Sequence, residues 1–326
     1  MKILVIGEEN RFTRYSNPLF LEKHQITIVP IGTSNKTIES QCKNARILIV
    51  DPIAEVNADL INRLPRLRLI QSEGVAYNHI DLKAASRRGI NVCHCRGFNT
   101  KAVAEQAILL MLGCLRDVVK SHNDVINGLQ IDNRFSHMFN GDLIELGECS
   151  VGLLGCGAIA KNVAKILNGF GTKVYYYDIK KQHMITEQFY NLTYLPLNEL
   201  LTKCDIISLH VPLTTDTHHI VNNEFIKQMK KGSLLINTAH GELIDNQALI
   251  RALETKHIRC AGLDTLDHEP IQKDHELLTS HVSNQILYSP HTAGLTASAF
   301  DRAYKIIWDN INHIQHHEKP DFIINE

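Results

Sequence analysis

Ser150-Val151-Gly152-Leu153-Leu154-Gly155-Cys156-Gly157-Ala158-Ile159-Ala160 is the stretch on which the reading of this 326-residue chain turns. An apolar run passes into a G-x-G-x-x-A turn and then into a helical pattern. Gly155 permits the tight turn, Gly157 lets the backbone come close to a pyrophosphate, and Ala160 keeps the helix near the strand. The helix start, at Ala158 and Ile159, offers unpaired N–H groups and a partial positive charge to phosphates. The next apolar run, KVYYYD, ends in Asp178, and 178 − 155 = 23 positions fits the spacing of roughly 20 expected for a ribose-binding carboxylate. That acid favours NAD over NADP, a preference slightly softened by Lys180 and Lys181. The expected cofactor is NAD.

Outward from this turn the chain reads as two α/β series. KILVIG (2–7), RILIVD (46–51), LRLIQ (67–71) and GINVC (89–93) are short continuous apolar runs, as expected of parallel strands buried on both faces. A helical pattern runs from Thr100, its expected N-cap, to about Asn127, and a polar, loop-like segment follows. The second series begins near Glu148, with strands expected in SVGLLG, KVYYYD, CDIISLHVP (204–212), SLLINTA (233–239), RCAGLDT (259–265) and QILYSP (285–290). A last helix is expected around Thr296–Gln315.

Composition narrows the function. There are 34 Lys and Arg against 35 Asp and Glu, for a formal net charge of -1, so nothing argues for nucleic acid or an anionic membrane as partner. No apolar run approaches the roughly 18 residues of a membrane span, and MKILVIGEEN reads as a buried first strand rather than an export signal. The eight cysteines have no repeating spacing and are expected to be reduced thiols in a cytoplasmic protein. Cys93-His94-Cys95 lies at a strand end, where alternation sends His94 away from the two cysteines, so no metal is expected.

The remaining motifs carry a family resemblance. QSEGVAYNHID (71–81), GFNTKAVAEQAILLML (97–112), the glycine turn, CDIISLHVPLTTDTHHIV (204–221), INTAHGELIDNQAL (236–249), AGLDTLDHEP (261–270) and SPHTAG (289–294) occur in the order and spacing of the D-2-hydroxyacid dehydrogenases. The chain resembles this group, which includes phosphoglycerate dehydrogenase and D-lactate dehydrogenase, from about Leu69 to Pro290. The resemblance implies an α/β fold in which a Rossmann-type dinucleotide-binding domain (101–287) is inserted into a smaller flavodoxin-like substrate domain (1–100 plus 288–326). It also implies an active site in the cleft and a homodimer formed through the 102–127 helix region. The implied reaction is reversible hydride transfer between NAD and the C2 carbon of a small 2-hydroxy or 2-oxo acid.

Roles carry over position by position. His291 matches the general acid/base that gives a proton to the ketone oxygen, a task suited to an imidazole whose ordinary pKa is about 6.5. Glu269 matches the carboxylate that orients it; formate dehydrogenases carry Gln there, which disfavours that relative. Val75 and Ala76 match the loop whose N–H groups hold the substrate carboxylate, with Ala76 where relatives commonly have Gly. His210, Pro212, Thr217, Thr238 and Ala239 match cofactor-lining positions. Asp264 matches an acidic position associated with the site, where a buried carboxylate at a strand end is an equally good reading.

One catalytic position departs from the pattern. His240, in Asn237-Thr238-Ala239-His240-Gly241, stands where the family carries the arginine that binds substrate carboxylate and carbonyl. Histidine lacks the fixed fork of donors. Losing one charge-assisted hydrogen bond costs roughly 1.5–3 kcal/mol, and each ~1.36 kcal/mol of transition-state stabilisation is about tenfold in rate. Three readings stand open. His240 serves on an unusual substrate, or Arg96, where relatives often have Pro, compensates as a second cation. In the third, the chain has become an NAD-responsive binding or regulatory module.

Overall fold

The computed structural model describes residues 1–325. The chain forms two compact units, Met1–Asn99 with Leu295–Glu326, and Thr100–Gly294.

The first unit is a five-stranded parallel sheet of β1 (Lys2–Ile6), β2 (Gln25–Val29), β3 (Ile47–Val50), β4 (Leu69–Ser72) and β5 (Asn91–Cys93), ordered β2-β1-β3-β4-β5. This is the flavodoxin-like order. All of Ile47–Val50 and Leu69–Ser72 is buried, as continuous apolar runs predict for strands covered on both faces. β2 escaped the sequence reading because QITIV is a half-buried edge strand with a polar start. The terminal helix Ala297–Gln315, capped by Thr296, returns to this unit and lays Tyr304 and Trp308 against Phe12 at ring distances of 5.9 and 6.1 Å.

The second unit is a seven-stranded parallel sheet of β6 (Ser150–Leu154), β7 (Lys173–Tyr177), β8 (Leu192–Tyr194), β9 (Ile206–Leu209), β10 (Ser233–Asn237), β11 (Ile258–Leu263) and β12 (Ile286–Tyr288). Read from the far edge its order is β8-β7-β6-β9-β10-β11-β12, a doubly wound dinucleotide-binding sheet with one further strand. Separate apolar clusters cover its two faces, one built on Leu235, Leu249 and Leu263, the other on Met111, Leu153 and Val163. β8 is only three residues long and gave no readable run.

Three expectations need correction. The return to the first unit comes at Leu295 rather than 288, because Tyr288 pairs with Leu263 in the second sheet and His291 N–H bonds the carbonyl of Asp264. The long helix begins at Thr100 itself and is broken: Thr100–Leu115 ends, Asp117 takes a left-handed φ of 48°, and Val118–Ile126 continues. The loop-like segment after it contains a helix, Gln130–Asn140, whose apolar positions Ile131, Phe135, Met138 and Phe139 keep helical spacing among polar neighbours. Among the described residues no helix is long and apolar enough to cross a membrane, and no cluster of His, Cys, Asp or Glu could hold a metal ion.

Candidate active site

The glycine turn forms where β6 ends. Gly155 has φ 93°, a conformation other residues rarely adopt, and a Cβ there would lie 2.5 Å from the carbonyl oxygen of His210. The turn is tied to the neighbouring strand by two bonds: Gly155 N–H donates to Tyr177 O at 2.8 Å, and Cys156 N–H to the Asp178 carboxylate at 2.7 Å. Asp178 therefore holds the turn while keeping its place at the carboxyl end of β7. Gly157 precedes the helix Ala158–Gly169, and a Cβ built on it meets nothing within 4 Å. Protein packing does not require glycine at this position. An open approach to a helix N-terminus suits a pyrophosphate, so the residues present fit a dinucleotide.

The other cofactor-lining candidates also sit at carboxyl ends of strands, beyond β9 (His210, Pro212, Thr217), β10 (Thr238, Ala239) and β11 (Asp264). The hydroxyls of Thr238 and Thr265 are buried and make no hydrogen bond among the described residues, an arrangement that suits a ligand's polar group. The Thr217 hydroxyl is engaged within its own turn, donating to Pro212 O at 2.7 Å. His210 sits beside Ser208 Oγ at 2.9 Å, and burial pushes its pKa down to about 4.

His291 and Glu269 meet directly, with Nδ1 2.5 Å from Oε2. Both carboxylate oxygens of Glu269 are committed, since Oε1 accepts from Leu266 N–H at 2.9 Å. With Nδ1–H donated to the carboxylate, Nε2 is the nitrogen free to exchange a proton, and the imidazole side chain is 60% exposed. The loop beneath is built on Asp264. Its buried carboxylate accepts from Ser289 Oγ (2.5 Å), Thr292 N–H (3.1 Å) and Ala293 N–H (3.0 Å), and its carbonyl from His291 N–H (2.8 Å). These bonds hold His291 at φ 53°. Asp264 is thus a buried strand-end carboxylate whose hydrogen bonds shape the histidine loop.

His240 lies on the adjoining loop, held by Asn237, whose amide donates to His240 O at 2.7 Å and whose Oδ1 accepts from Ala239 N–H at 3.0 Å. Gly241 packs so closely that a Cβ would fall 2.0 Å from the Leu266 carbonyl carbon. This joint seats the His240 loop on the turn that carries Glu269. Crowding by protein lowers the His240 pKa below 6.5 although the residue remains exposed; Glu242 and Glu269 oppose that shift, and the nearby His291 adds to it. Asp267, in the same turn, is held below the usual carboxylate range: its bonds from Asn246 (2.8 Å) and His275 (2.8 Å) outweigh the raising effect of burial. Asn237, Gly241 and Ser289 were visible in the motifs, but nothing in the sequence marked them as the joints of the site.

Val75, Ala76 and Arg96 belong to the first unit. Ser72 Oγ donates to Ala76 O at 2.7 Å and accepts from Gly74 N–H at 3.3 Å, while Cys95 N–H reaches Gly74 O at 2.8 Å and His94 Nδ1 lies 3.0 Å from Val75 O. The loop is pinned through its carbonyls, and among the described residues the N–H groups of Val75 and Ala76 have no hydrogen-bond partner. Arg96 is exposed, with no ion pair among the described residues. Sequence reasoning missed Ser72 and His94, whose roles depend on loop geometry.

Comparison with known proteins points one way. Residues 108–293 match the family model described as D-isomer specific 2-hydroxyacid dehydrogenase, NAD binding domain. The chain is 34% identical to a glyoxylate reductase of Thermofilum pendens, over 83% of this chain and 79% of that protein. It is 31% identical to a putative 2-hydroxyacid dehydrogenase of Haemophilus influenzae, over 98% of this chain and the whole of the other. Among solved structures, a Thermus thermophilus protein superposes with a TM-score of 0.82 at 28% identity, covering 99% of this chain and 100% of its own.

Proposed function

This chain belongs to the D-isomer specific 2-hydroxyacid dehydrogenase family, and from that premise we propose that it reversibly reduces a small 2-oxo acid, with His291 as the proton donor. It is an NAD-dependent oxidoreductase. The observation that carries the finer reading is the His291–Glu269 pair, closed at 2.5 Å with the imidazole open to solvent on its far side.

Bound NADH supplies the hydride. Gly155, Gly157 and the N–H groups of Ala158 and Ile159 would hold its pyrophosphate and Asp178 its ribose. Glu269 keeps the imidazole oriented through Nδ1 and stabilises the imidazolium, so that Nε2 gives its proton to the substrate's carbonyl oxygen as the alcohol forms. In the reverse direction the neutral imidazole takes that proton back. The free N–H groups of Val75 and Ala76 suit the substrate carboxylate. His240, neutral at pH 7 because its pKa is lowered, offers one directed N–H bond instead of the charged fork of an arginine. A small substrate fits that economy of anchors, and glyoxylate reductases among the relatives favour the small end of the class.

The helices Val118–Ile126 and Gln130–Asn140 expose Val118, Ile126, Phe135, Met138 and Phe139, an apolar face consistent with a homodimer formed through this region. The eight free thiols agree with a reducing compartment, and we place the protein in the cytoplasm.

The test is NADH oxidation against a panel of 2-oxo acids once NADH binding has been confirmed. Turnover of a small member, reduced roughly 100-fold or more in Glu269→Gln with NADH affinity unchanged, is the expected result. NADH binding without turnover across the panel would instead support cofactor sensing.

A further inference from the structure

We propose that the first unit carries a second ligand site, for a small phosphate-bearing polyanion, at the amino-terminal edge of its sheet. Arg46 and Arg68 stand one residue ahead of β3 and β4, whose register sets Ile47 opposite Leu69. Arg68 N–H donates to Arg46 O at 2.8 Å, so these two cationic residues are direct neighbours across adjacent strands. Arg66 approaches along the turn before β4. Arg88, at the end of the helix Leu82–Arg87, is anchored by bonds to the carbonyls of Ile61 and Leu64, the latter at 3.1 Å.

These four arginines, with Pro65 and Leu67, line one cavity of about 450 Å³. No acidic residue lines it, and none of the four makes a salt bridge among the described residues. An adjoining cavity of about 240 Å³ shares Arg46 and Arg68 and adds Asn91, His317 and one acid, Glu318.

A chain with 34 basic and 35 acidic residues has ample carboxylates to intersperse with its arginines. Like charges held side by side repel, and Arg46 and Arg68 meet in that way without a salt bridge among the described residues, Glu318 being the one acid that lines the cavity beside them. An anion bridging them removes the repulsion. The guanidinium fork matches the oxygens of phosphate, and a volume of this size suits a small metabolite. Two or more negative charges are needed to answer four cations. The site is separate from the carboxylate-binding loop: Arg68 lies before β4, whereas Val75 and Ala76 lie beyond its other end, Ser72.

The experiment is calorimetric titration of inorganic pyrophosphate into the full chain at physiological ionic strength with saturating NADH, which keeps the probe from the glycine turn. Saturable binding to the wild type is expected, weakened at least tenfold in the double variant Arg46→Gln/Arg68→Gln and in Arg66→Gln, and unchanged in Lys231→Gln, an exposed charge of the other unit. In low salt without ligand the double variant should melt no lower than the wild type, and pyrophosphate should raise the melting temperature of the wild type alone. Absence of binding, binding abolished by physiological salt, or binding that survives both arginine variants would overturn the proposal.

Discussion

Replacing His240 by arginine restores the donor set of the family and tests what the histidine does. Its backbone is extended (φ −138°, ψ 138°), a conformation any residue adopts, and its side chain is exposed. The loop is fixed by Asn237 and by the close seat of Gly241 against Leu266, so the substitution leaves the site's frame in place. Crowding by surrounding protein lowers the His240 pKa below 6.5, more than Glu242 and Glu269 raise it, and at pH 7 the ring is neutral. A neutral hydrogen bond contributes about 0.5–1.5 kcal/mol and a charge-assisted one about 1.5–3 kcal/mol. The gain is about 1–2 kcal/mol per bond, or roughly 5- to 30-fold in kcat/KM at ~1.36 kcal/mol per decade. Initial rates of NADH oxidation from pH 5 to 8 read the effect. In the wild type KM for the 2-oxo acid should fall as pH drops through the depressed histidine pKa, while His240→Arg should show no such step. A loss of kcat/KM in the variant at every pH would refute the reasoning and show the histidine adapted to another substrate.

Two further outcomes concern stability. Asp264→Asn turns an amide donor toward Ser289 Oγ or the amides of Thr292 and Ala293, and should cost about 1–3 kcal/mol in urea unfolding while loosening the His291 loop. His210 has a folded-state pKa pushed down to about 4 from 6.5, so the unfolded chain binds more protons between those values and stability falls as pH falls through that window. The complete loss should be roughly 3 kcal/mol, from a shift of about 2.5 pH units at ~1.36 kcal/mol each. His210→Asn should flatten that slope, and an unchanged slope would rule out His210 as its source.

Sequence announces structure here where chemistry and period coincide. Continuous apolar runs at Ile47–Val50, Leu69–Ser72 and Ile206–Leu209 announce strands buried on both faces. The glycine turn is legible because a backbone at φ 93° with no room for a Cβ admits one residue type. The edge strand Gln25–Val29 and the three-residue Leu192–Tyr194 were missed for lack of a period long enough to read. The helix Gln130–Asn140 was hidden because its apolar stripe is thin. Within the site the His291–Glu269 pair was legible, but its supports were not. Asp264 reaching Ser289, and Gly241 meeting Leu266, join residues more than twenty positions apart through geometry that composition does not record.

The central claim is that His291 moves the proton. The most direct measurement pairs NADH affinity, by fluorescence titration, with turnover of the best 2-oxo acid in wild type and His291→Gln. Retained NADH affinity with turnover reduced roughly 10²- to 10⁴-fold is the result expected of a lost general acid. Turnover within a few-fold of the wild type, at equal NADH affinity, would contradict the account.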